Sequence, residues 1–316
     1  MKTAHPGVPP ASGEQPVVAI TGASGYLGSV LVTAFGSAGY AVRRLVRSPA
    51  PGSRDRFFDL NSVGSSDALD GVDLLVHCAY DMALTSRADI WRSNVFGTVA
   101  LFDQAVSQGV RRTIALSSMS AYPGTRQLYG RAKLATEVAA LARGLCVVRP
   151  GLVYGAGWGG MAGTLRRLAA LPVLPDFGPG ARQFTVRERD FACALVALAG
   201  AERVPALPVG IAHPEPVPFT ELLTSFAASM GKPRPRFLPA PATAVYGALR
   251  AAEFLPVRLP VRADSLLGLV RPAQYVPHPE VLDQLGVVLQ PFALAGAGAG
   301  ESAGRSQLPP SPVDSP

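Results

Sequence analysis

The first half of the chain alternates short runs of apolar residues with longer segments in which apolar residues recur at helical spacing. Several of the short runs are apolar on both faces, which is typical of strands that are covered by helices on each side. The predicted strands span residues 17–20, 41–46, 72–79, 113–117 and 145–149, and the predicted helices span 27–35, 94–106 and 129–142. This alternation predicts an α/β fold built on a doubly wound parallel sheet.

Three glycines, Gly22, Gly25 and Gly28, stand between the first predicted strand and the first predicted helix. The first permits a tight turn, the second lets the backbone approach a pyrophosphate, and the third lets the helix pack closely on the strand. A purely structural turn is the alternative, but the position between strand and helix favours a dinucleotide site. The predicted cofactor contacts in this loop are Gly22, Ser24, Gly25, Tyr26, Leu27 and Gly28.

The end of the second strand bears on the choice of cofactor. An acidic residue about 20 positions after the loop would bond the ribose 2′-hydroxyl of NAD. Here Arg47 stands nineteen residues after Gly28, and a guanidinium would instead pair with the 2′-phosphate of NADP. An ordinary exposed arginine is the alternative, so NADP is favoured and NAD stays open. Asp59 is a candidate acceptor for the adenine amino group.

Tyr129 and Lys133 are four residues apart on a predicted helix, so their side chains lie on one face. A tyrosine hydroxyl has an ordinary pKa near 10, and a nearby ammonium favours its phenolate form. Ser118 lies eleven residues before Tyr129, at the carboxyl end of a predicted strand, where open α/β sheets bind ligands. Its hydroxyl can donate to a substrate oxygen in an alcohol–ketone interconversion, although a simple strand-to-loop turn is the alternative.

These residues together make the chain similar to the extended short-chain dehydrogenases/reductases, the NAD(P)-dependent epimerase/dehydratase family. The matches follow the family's order over about residues 16–290: 21–28, Asp59-Leu60, His77-Cys78-Ala79, 94–98, Ser117-Ser118, Tyr129 with Lys133, and Arg149-Pro150 with Tyr154-Gly155. The resemblance implies an acid/base role for Tyr129, an electrostatic and ribose-anchoring role for Lys133, and a substrate-oxygen contact for Ser118. It also implies that Asn94 supports a proton-relay water or the active-site helix. It places Leu60 and Ala79 at the cofactor, and Ser120, Tyr154 and Arg182 at the substrate.

Two departures from the family pattern narrow the expected chemistry. Met119 and Ser120 stand where related dehydratases carry an Asp-Glu pair, which disfavours 4,6-dehydration. Ser120 also replaces the cysteine of double epimerase-reductases that resemble GDP-fucose synthase. The function expected first is therefore an NAD(P)-dependent oxidoreductase or epimerase acting on a secondary alcohol or ketone of a nucleotide-linked sugar. A reductase of an apolar ketone, similar to the 3β-hydroxysteroid dehydrogenase branch, and a non-catalytic NADP-sensing regulator are the alternatives; the Tyr129/Lys133 pair disfavours the regulator.

The resemblance and the change of pattern after Pro150 predict an NAD(P)-binding Rossmann core over residues 16–155. A glycine-rich stretch at 155–163, a proline-rich stretch at 171–179 and a helical pattern at 243–254 predict an irregular substrate lobe over 156–293 with returning Rossmann elements. Residues 1–15 are expected to form a flexible arm. Residues 294–316 are of low complexity and are expected to form a disordered tail.

Composition excludes several other classes of function. The net charge is +7, but the arginines are scattered, which favours a small anionic ligand over nucleic acid. Three cysteines, Cys78, Cys146 and Cys193, have no CxxC spacing, and the four histidines form no ligand-spaced pair, so no metal is expected. The start lacks the apolar segment of a secretory signal, and no apolar run is long enough for a bilayer span. These features predict a cytoplasmic protein that acts on a small molecule, with a homodimer left open.

Overall fold

The computed structural model describes residues 15–62, 67–254 and 261–294 of the 316-residue chain. In chain order the strands are β1 (Val17–Thr21), β2 (Ala41–Val46), β3 (Arg56–Phe57), β4 (Leu74–His77), β5 (Arg112–Leu116), β6 (Cys146–Pro150), β7 (Leu152–Tyr154), β8 (Val173–Asp176), β9 (Arg182–Gln183), β10 (Thr185–Arg187), β11 (Val209–Ile211), β12 (Val217–Pro218) and β13 (Arg236–Pro239). The helices are α1 (Tyr26–Ser37), α2 (Arg87–Ile90), α3 (Gly97–Ser107), α4 (Leu128–Leu141), α5 (Gly160–Leu168), α6 (Glu188–Gly200), α7 (Phe219–Ala228), α8 (Ala242–Ala252), α9 (Ala263–Val270) and α10 (Glu280–Gln284). A π-helical turn, Trp91–Phe96, joins α2 to α3.

Seven strands form one sheet in the order β11-β6-β5-β4-β1-β2-β3, and every neighbouring pair is parallel. The order reverses between β1 and β4, which is the arrangement of a doubly wound sheet. The predicted fold class is therefore confirmed. We call these strands, with α1 to α4 and α6, the sheet region.

Both faces of the sheet are covered by helices. Side chains of a strand alternate between its faces, so Val18 and Ile20 of β1 join a cluster with α1 and α6. Ala19 points to the opposite face and joins a second cluster that includes Leu101 of α3. All four residues of β4 are buried, as expected for a strand in the middle of a covered parallel sheet.

What we call the second lobe consists of α5, α7, α8 and α9 with the strand pairs β9–β12 and β8–β13, and its hydrophobic cluster also includes Tyr154 of β7. Its core includes Leu165, Leu174, Leu222 and Phe226. The pair β7–β10 and the helix α10 complete the second half of the chain. The second half of the chain also returns β11 to the sheet beside β6. The boundary between residues 155 and 156 stays a prediction.

The predicted arm and tail lie outside the described residues, apart from Gln15 and Leu294. Within the described ranges, no helix is long and apolar enough to cross a membrane. In the same ranges, no three histidine, cysteine, aspartate or glutamate side chains cluster as metal ligands.

Candidate functional site

The glycine loop packs against the sheet so closely that side chains would not fit. Gly22 has a φ of +63°, and a Cβ there would lie 3.0 Å from the backbone N and Cα of Ala79. A Cβ on Gly28 would overlap the carbonyl oxygen of Gly22. The helix α1 starts after Gly25 without a side-chain cap, so the N–H groups of its first turn can bind an anion. This geometry fits the pyrophosphate of a dinucleotide.

The buried residues Thr21 and His77 hold this loop to the end of β4. The Thr21 hydroxyl oxygen accepts hydrogen bonds from the backbone N–H groups of Cys78 (3.0 Å) and Ala79 (3.1 Å). Its oxygen lies 2.8 Å from His77 Nδ1, and His77 Nε2 lies 3.0 Å from the Thr98 hydroxyl. Burial, with the charge of Lys133, lowers the pKa of His77 to about 3, so the imidazole is neutral. His77 therefore links β1, β4 and α3 rather than moving protons.

Two other residues of the loop, Ser24 and Leu27, differ in burial. Ser24 is exposed, and Leu27 packs against the hydrophobic cluster beneath α1.

Tyr26 lies at the first turn of α1, where its hydroxyl donates to Glu188 Oε2 at 2.9 Å. Glu188 Oε2 also accepts from the Gly157 N–H at 3.1 Å, so one carboxylate joins the phosphate loop to the glycine-rich stretch.

Arg47 lies exposed just beyond β2 and makes no ion pair with any other described residue. Its two neighbouring arginines are engaged on opposite sides of the strand. Arg43 donates to the carbonyl oxygens of Ala68 (3.2 Å) and Asp70 (2.6 Å), whereas Arg44 pairs with Asp55 at 3.4 Å. Arg47 is thus the arginine of this group whose guanidinium is left for a ligand.

Asp59 and Leu60 follow β3 in a turn that packs on α3. Asp59 Oδ1 accepts from the backbone N–H (2.7 Å) and the side-chain amide (3.0 Å) of Asn61. A Cβ on Gly97 would overlap the carbonyl oxygen of Leu60, so this turn touches the first residue of α3. Among the described residues, Asp59 Oδ2 has no hydrogen-bond partner and is available to an adenine amino group.

Ser118 and Tyr129 are brought together at the carboxyl end of β5. Ser118 Oγ accepts a hydrogen bond from the Ser120 N–H at 3.1 Å. Burial raises the pKa of Tyr129 to about 12, and the nearby Ser118 hydroxyl opposes that rise. The phenol of the free protein is therefore protonated at neutral pH.

Lys133 is 6% exposed and points to the same edge of the sheet. Its Nζ donates to the Leu116 carbonyl oxygen at 2.7 Å, and burial lowers its pKa to about 8. Glu137, one turn along α4, favours the charged ammonium but is itself held by Arg149 through two bonds of 2.8 and 2.6 Å. No hydrogen bond joins Lys133 to Tyr129 within the described part of the chain.

Asn94 lies in the π-helical turn, and such turns often occur at functional sites. Its Oδ1 accepts from the Asp81 N–H at 2.7 Å, and its Nδ2 donates to the Asp81 carbonyl oxygen at 3.1 Å. Asn94 therefore fixes the segment that follows β4. A cavity of about 10 Å³ is lined by Asn94, His77, Lys133 and Glu137 among others, which is close to the smallest space that holds a water.

Two residues of this site were missed by the sequence reasoning. Tyr80, directly after Ala79, packs edge-on against Tyr129 with ring centroids 4.9 Å apart. Asp264 of α9 caps the start of α4: its Oδ1 accepts from the Leu128 N–H at 2.7 Å, and its Oδ2 from the Tyr129 N–H at 3.3 Å. In the sequence, Tyr80 could be noticed only as an aromatic residue directly after a predicted strand. Nothing in the sequence around Asp264 indicated a role at this site.

The predicted substrate residues Tyr154 and Arg182 lie elsewhere. Tyr154 is buried in the second lobe, where its ring packs on Phe292 and its hydroxyl accepts from the Ala293 N–H at 3.2 Å. Arg182 is exposed and donates to the Pro179 carbonyl oxygen at 2.8 Å. Their contact with substrate stays a prediction.

Comparison with known proteins agrees with this geometry. Residues 18–171 match the family model described as NAD dependent epimerase/dehydratase family. The ceramide reductase of Caulobacter vibrioides is 32% identical over 244 residues, which cover 74% of this chain and 77% of that protein. A 3-diazoavenalumate denitrifying reductase of a Streptomyces species is 32% identical over 261 residues, which cover 71% of this chain and 84% of that protein. The structure of MoeE5 with UDP-glucose and NAD superposes with a TM-score of 0.58 at 27% identity, covering 71% of this chain and 85% of that one.

Proposed function

Because this chain belongs to the NAD-dependent epimerase/dehydratase family, an enzyme family of the extended short-chain dehydrogenase/reductase type, we propose that it interconverts a ketone and a secondary alcohol. The observation that carries the proposal is the meeting of Ser118, Tyr129 and Lys133 at the carboxyl end of β5, beside the glycine loop. Ligands of open α/β sheets bind at this edge. When bound there, NAD(P) supplies or accepts a hydride.

The protein side of the reaction is proton transfer at the substrate oxygen. Ser118 donates a hydrogen bond to that oxygen, and Tyr129 gives it a proton as the ketone is reduced. The raised pKa of Tyr129, about 12, keeps the phenol protonated and suits this direction. In the reverse direction the Lys133 ammonium stabilises the phenolate. Oxidation should therefore speed up relative to reduction as the pH rises.

The reaction proposed is hydride transfer without dehydration. Elimination of water needs an acid beside the substrate, yet Met119 follows Ser118 and packs with Phe184, Ala212 and Val276. An apolar group thus stands where a dehydratase would place a carboxylate. The family match leaves the alternative of a non-catalytic regulator without support.

We propose an apolar ketone as the first substrate class. The similarity to a ceramide reductase supports it. A nucleotide-linked sugar is the second class, supported by the similarity to MoeE5 in complex with UDP-glucose. Against the second class, Arg182, which the resemblance placed at the substrate, is exposed and donates to the Pro179 carbonyl oxygen.

A panel of substrates tests this choice. Purified protein with NADPH or NADH is mixed with long-chain 3-ketones, steroid ketones and nucleotide-linked 4-keto sugars, and loss of the reduced cofactor is followed by absorbance. We expect turnover with the apolar ketones. Turnover confined to the nucleotide-linked sugars would reverse the order of the two classes, and no turnover with any ketone would contradict the proposed reaction.

NADP is proposed as the preferred cofactor because Arg47 is free to meet a 2′-phosphate. A charge-assisted bidentate contact of this kind is worth about 10- to 100-fold in affinity. Arg47→Ala should weaken NADPH binding by about that factor and leave NADH binding unchanged, as measured by fluorescence titration. Arg44→Ala, on the same strand but paired with Asp55, is the matched control and should change neither affinity. Equal binding of NADH and NADPH by the wild type would contradict the preference.

A homodimer is proposed through the outer face of α3 and α4. Val106 of α3, Val138 of α4 and Phe96, which ends the π-helical turn before α3, are large apolar side chains that stay exposed in the single chain. Burying such side chains favours association. Sedimentation of the full chain would show a mass of twice the monomer if this face is an interface.

A further inference from the structure

Tyr80 lies at the centre of the residues that the proposed mechanism uses, although no motif singled it out. Its ring meets Tyr129 edge-on, with an interplanar angle of 73°. The Lys133 Nζ lies 5.0 Å from the centroid of the same ring. Burial raises the pKa of Tyr80, and the nearby Asn94 side chain opposes that rise. The Tyr80 ring therefore packs against two of the proposed catalytic residues, Tyr129 and Lys133, and lies near a third, Asn94.

We propose that Tyr80 is a positioning residue: the face of its ring holds the Lys133 ammonium beside Tyr129. The catalytic meaning of this arrangement rests on the proposed function. The arrangement itself does not, because it is a property of the free protein.

Lys133 needs such a partner because it is buried with few hydrogen-bond acceptors. An ammonium has three protons to donate, and the described residues supply one acceptor, the Leu116 carbonyl oxygen. An aromatic face within about 6 Å attracts a cation, and more strongly when water is excluded. The Tyr80 ring meets this condition at a side chain that is 6% exposed.

The other titratable groups around Lys133 do not replace the ring. Glu137 is held by Arg149 and also accepts from the Ser117 hydroxyl. Burial raises the pKa of the Cys78 thiol to about 12, so it is neutral. His77 is neutral as well, because its pKa is lowered to about 3. The Tyr80 ring thus adds to the support that Glu137 gives to the charged lysine.

Two substitutions distinguish the role of the Tyr80 ring from that of its hydroxyl. Tyr80→Phe keeps the ring over Lys133 and against Tyr129 but removes the hydroxyl. Tyr80→Leu removes both. If the ring holds the ammonium, Lys133 should respond to the second variant and not to the first.

Nuclear magnetic resonance of the full chain, labelled with carbon-13 lysine, tests this directly. The sequence contains three lysines, Lys2, Lys133 and Lys232, so few signals compete, and Lys133→Met identifies the signal of interest. Wild type and Tyr80→Phe should show an upfield shift of the Lys133 ε-methylene, caused by the ring face. In Tyr80→Leu this shift should vanish, and the titration midpoint of Lys133 should fall by about one pH unit. Lys232, exposed in the second lobe, is the internal reference.

Tyr80→Met provides a second ringless variant if the leucine variant does not fold, because methionine fills irregular space. Loss of the upfield shift in the folded ringless variant supports the proposal. A Lys133 signal that keeps its position and midpoint in a folded ringless variant overturns it. Neither readout needs substrate or cofactor, so a failure to find ketone reduction would contradict the proposed function and leave this result standing.

Discussion

In the sheet region, successive residues of one strand enter different hydrophobic clusters, whereas in the second lobe short strands and helices surround a single cluster. Val18 and Ala19 of β1 illustrate the first arrangement. The second lobe instead gathers side chains from α5, β8 and α7 around Phe226. A covered parallel sheet imposes a regular pattern on its sequence, and a cluster built from helix ends and two-residue strands does not.

The two regions also differ in what they give to the candidate site. The sheet region supplies the reacting groups and the glycine loop. The second lobe supplies Asp264, whose carboxylate caps the helix that carries Tyr129. The lobe therefore influences the proposed catalytic residue through the start of α4, without contributing a reacting group.

The largest difference between the regions is expected at two helical glycines. Gly28→Ala places a Cβ on the carbonyl oxygen of Gly22, so the loop or α1 must move. Overpacking against backbone costs about 1–3 kcal/mol or more, and we expect the loss of NAD(P) binding as well. Urea denaturation measures the free energy of unfolding, and cofactor titration measures the binding.

Gly247→Ala in α8 of the second lobe is the control. A Cβ there meets no atom within 4 Å, so this variant should gain up to about 1 kcal/mol from helix propensity. Equal effects of the two substitutions would show that the glycine loop is not packed as described.

A smaller effect is expected from the contact that links the two regions. Asp264→Ala removes the cap of α4, and loss of an N-cap costs about 1 kcal/mol. Hydrogen exchange of the Leu128 and Tyr129 amides should accelerate in the same variant. Asp283→Ala, which removes an exposed carboxylate from α10, is the matched control and should change neither quantity. Unchanged amide exchange in Asp264→Ala would show that the second lobe does not hold the start of α4.

Periodicity predicted most of the sheet region, and its failures there have physical causes. The predicted helix 129–142 appears as α4, one residue earlier at each end. The predicted helix 94–106 is instead split between a π-helical turn and α3, which begins at Gly97. A π-helical turn holds an extra residue, which apolar spacing does not report, and the packing of Gly97 on Leu60 is a long-range contact.

In the candidate site too, local spacing was visible in the sequence and long-range contacts were not. The spacing of Tyr129 and Lys133 on one helix was visible in the sequence, and the structure places both at the edge of the sheet with Ser118. Asp264 lies 136 positions from Leu128, the residue whose N–H it accepts, so no local pattern could reveal it. Tyr154 came from a family motif, and its ring is buried in the cluster around Phe226. Tyr80 and Asp264 were missed because their roles depend on contacts with residues far away along the chain.

In the proposed reaction, Tyr129 moves the proton at the substrate oxygen. Single-turnover hydride transfer from deuterated NADPH to an active ketone should be measured in wild type, Tyr129→Phe and Tyr122→Phe. Tyr122→Phe is the matched control, because its hydroxyl bonds to the Arg271 carbonyl oxygen in the same loop region. We predict that Tyr129→Phe lowers the transfer rate by about 10²- to 10⁴-fold with NADPH binding retained, while Tyr122→Phe stays within a few-fold of wild type. A wild-type rate in Tyr129→Phe would contradict the account.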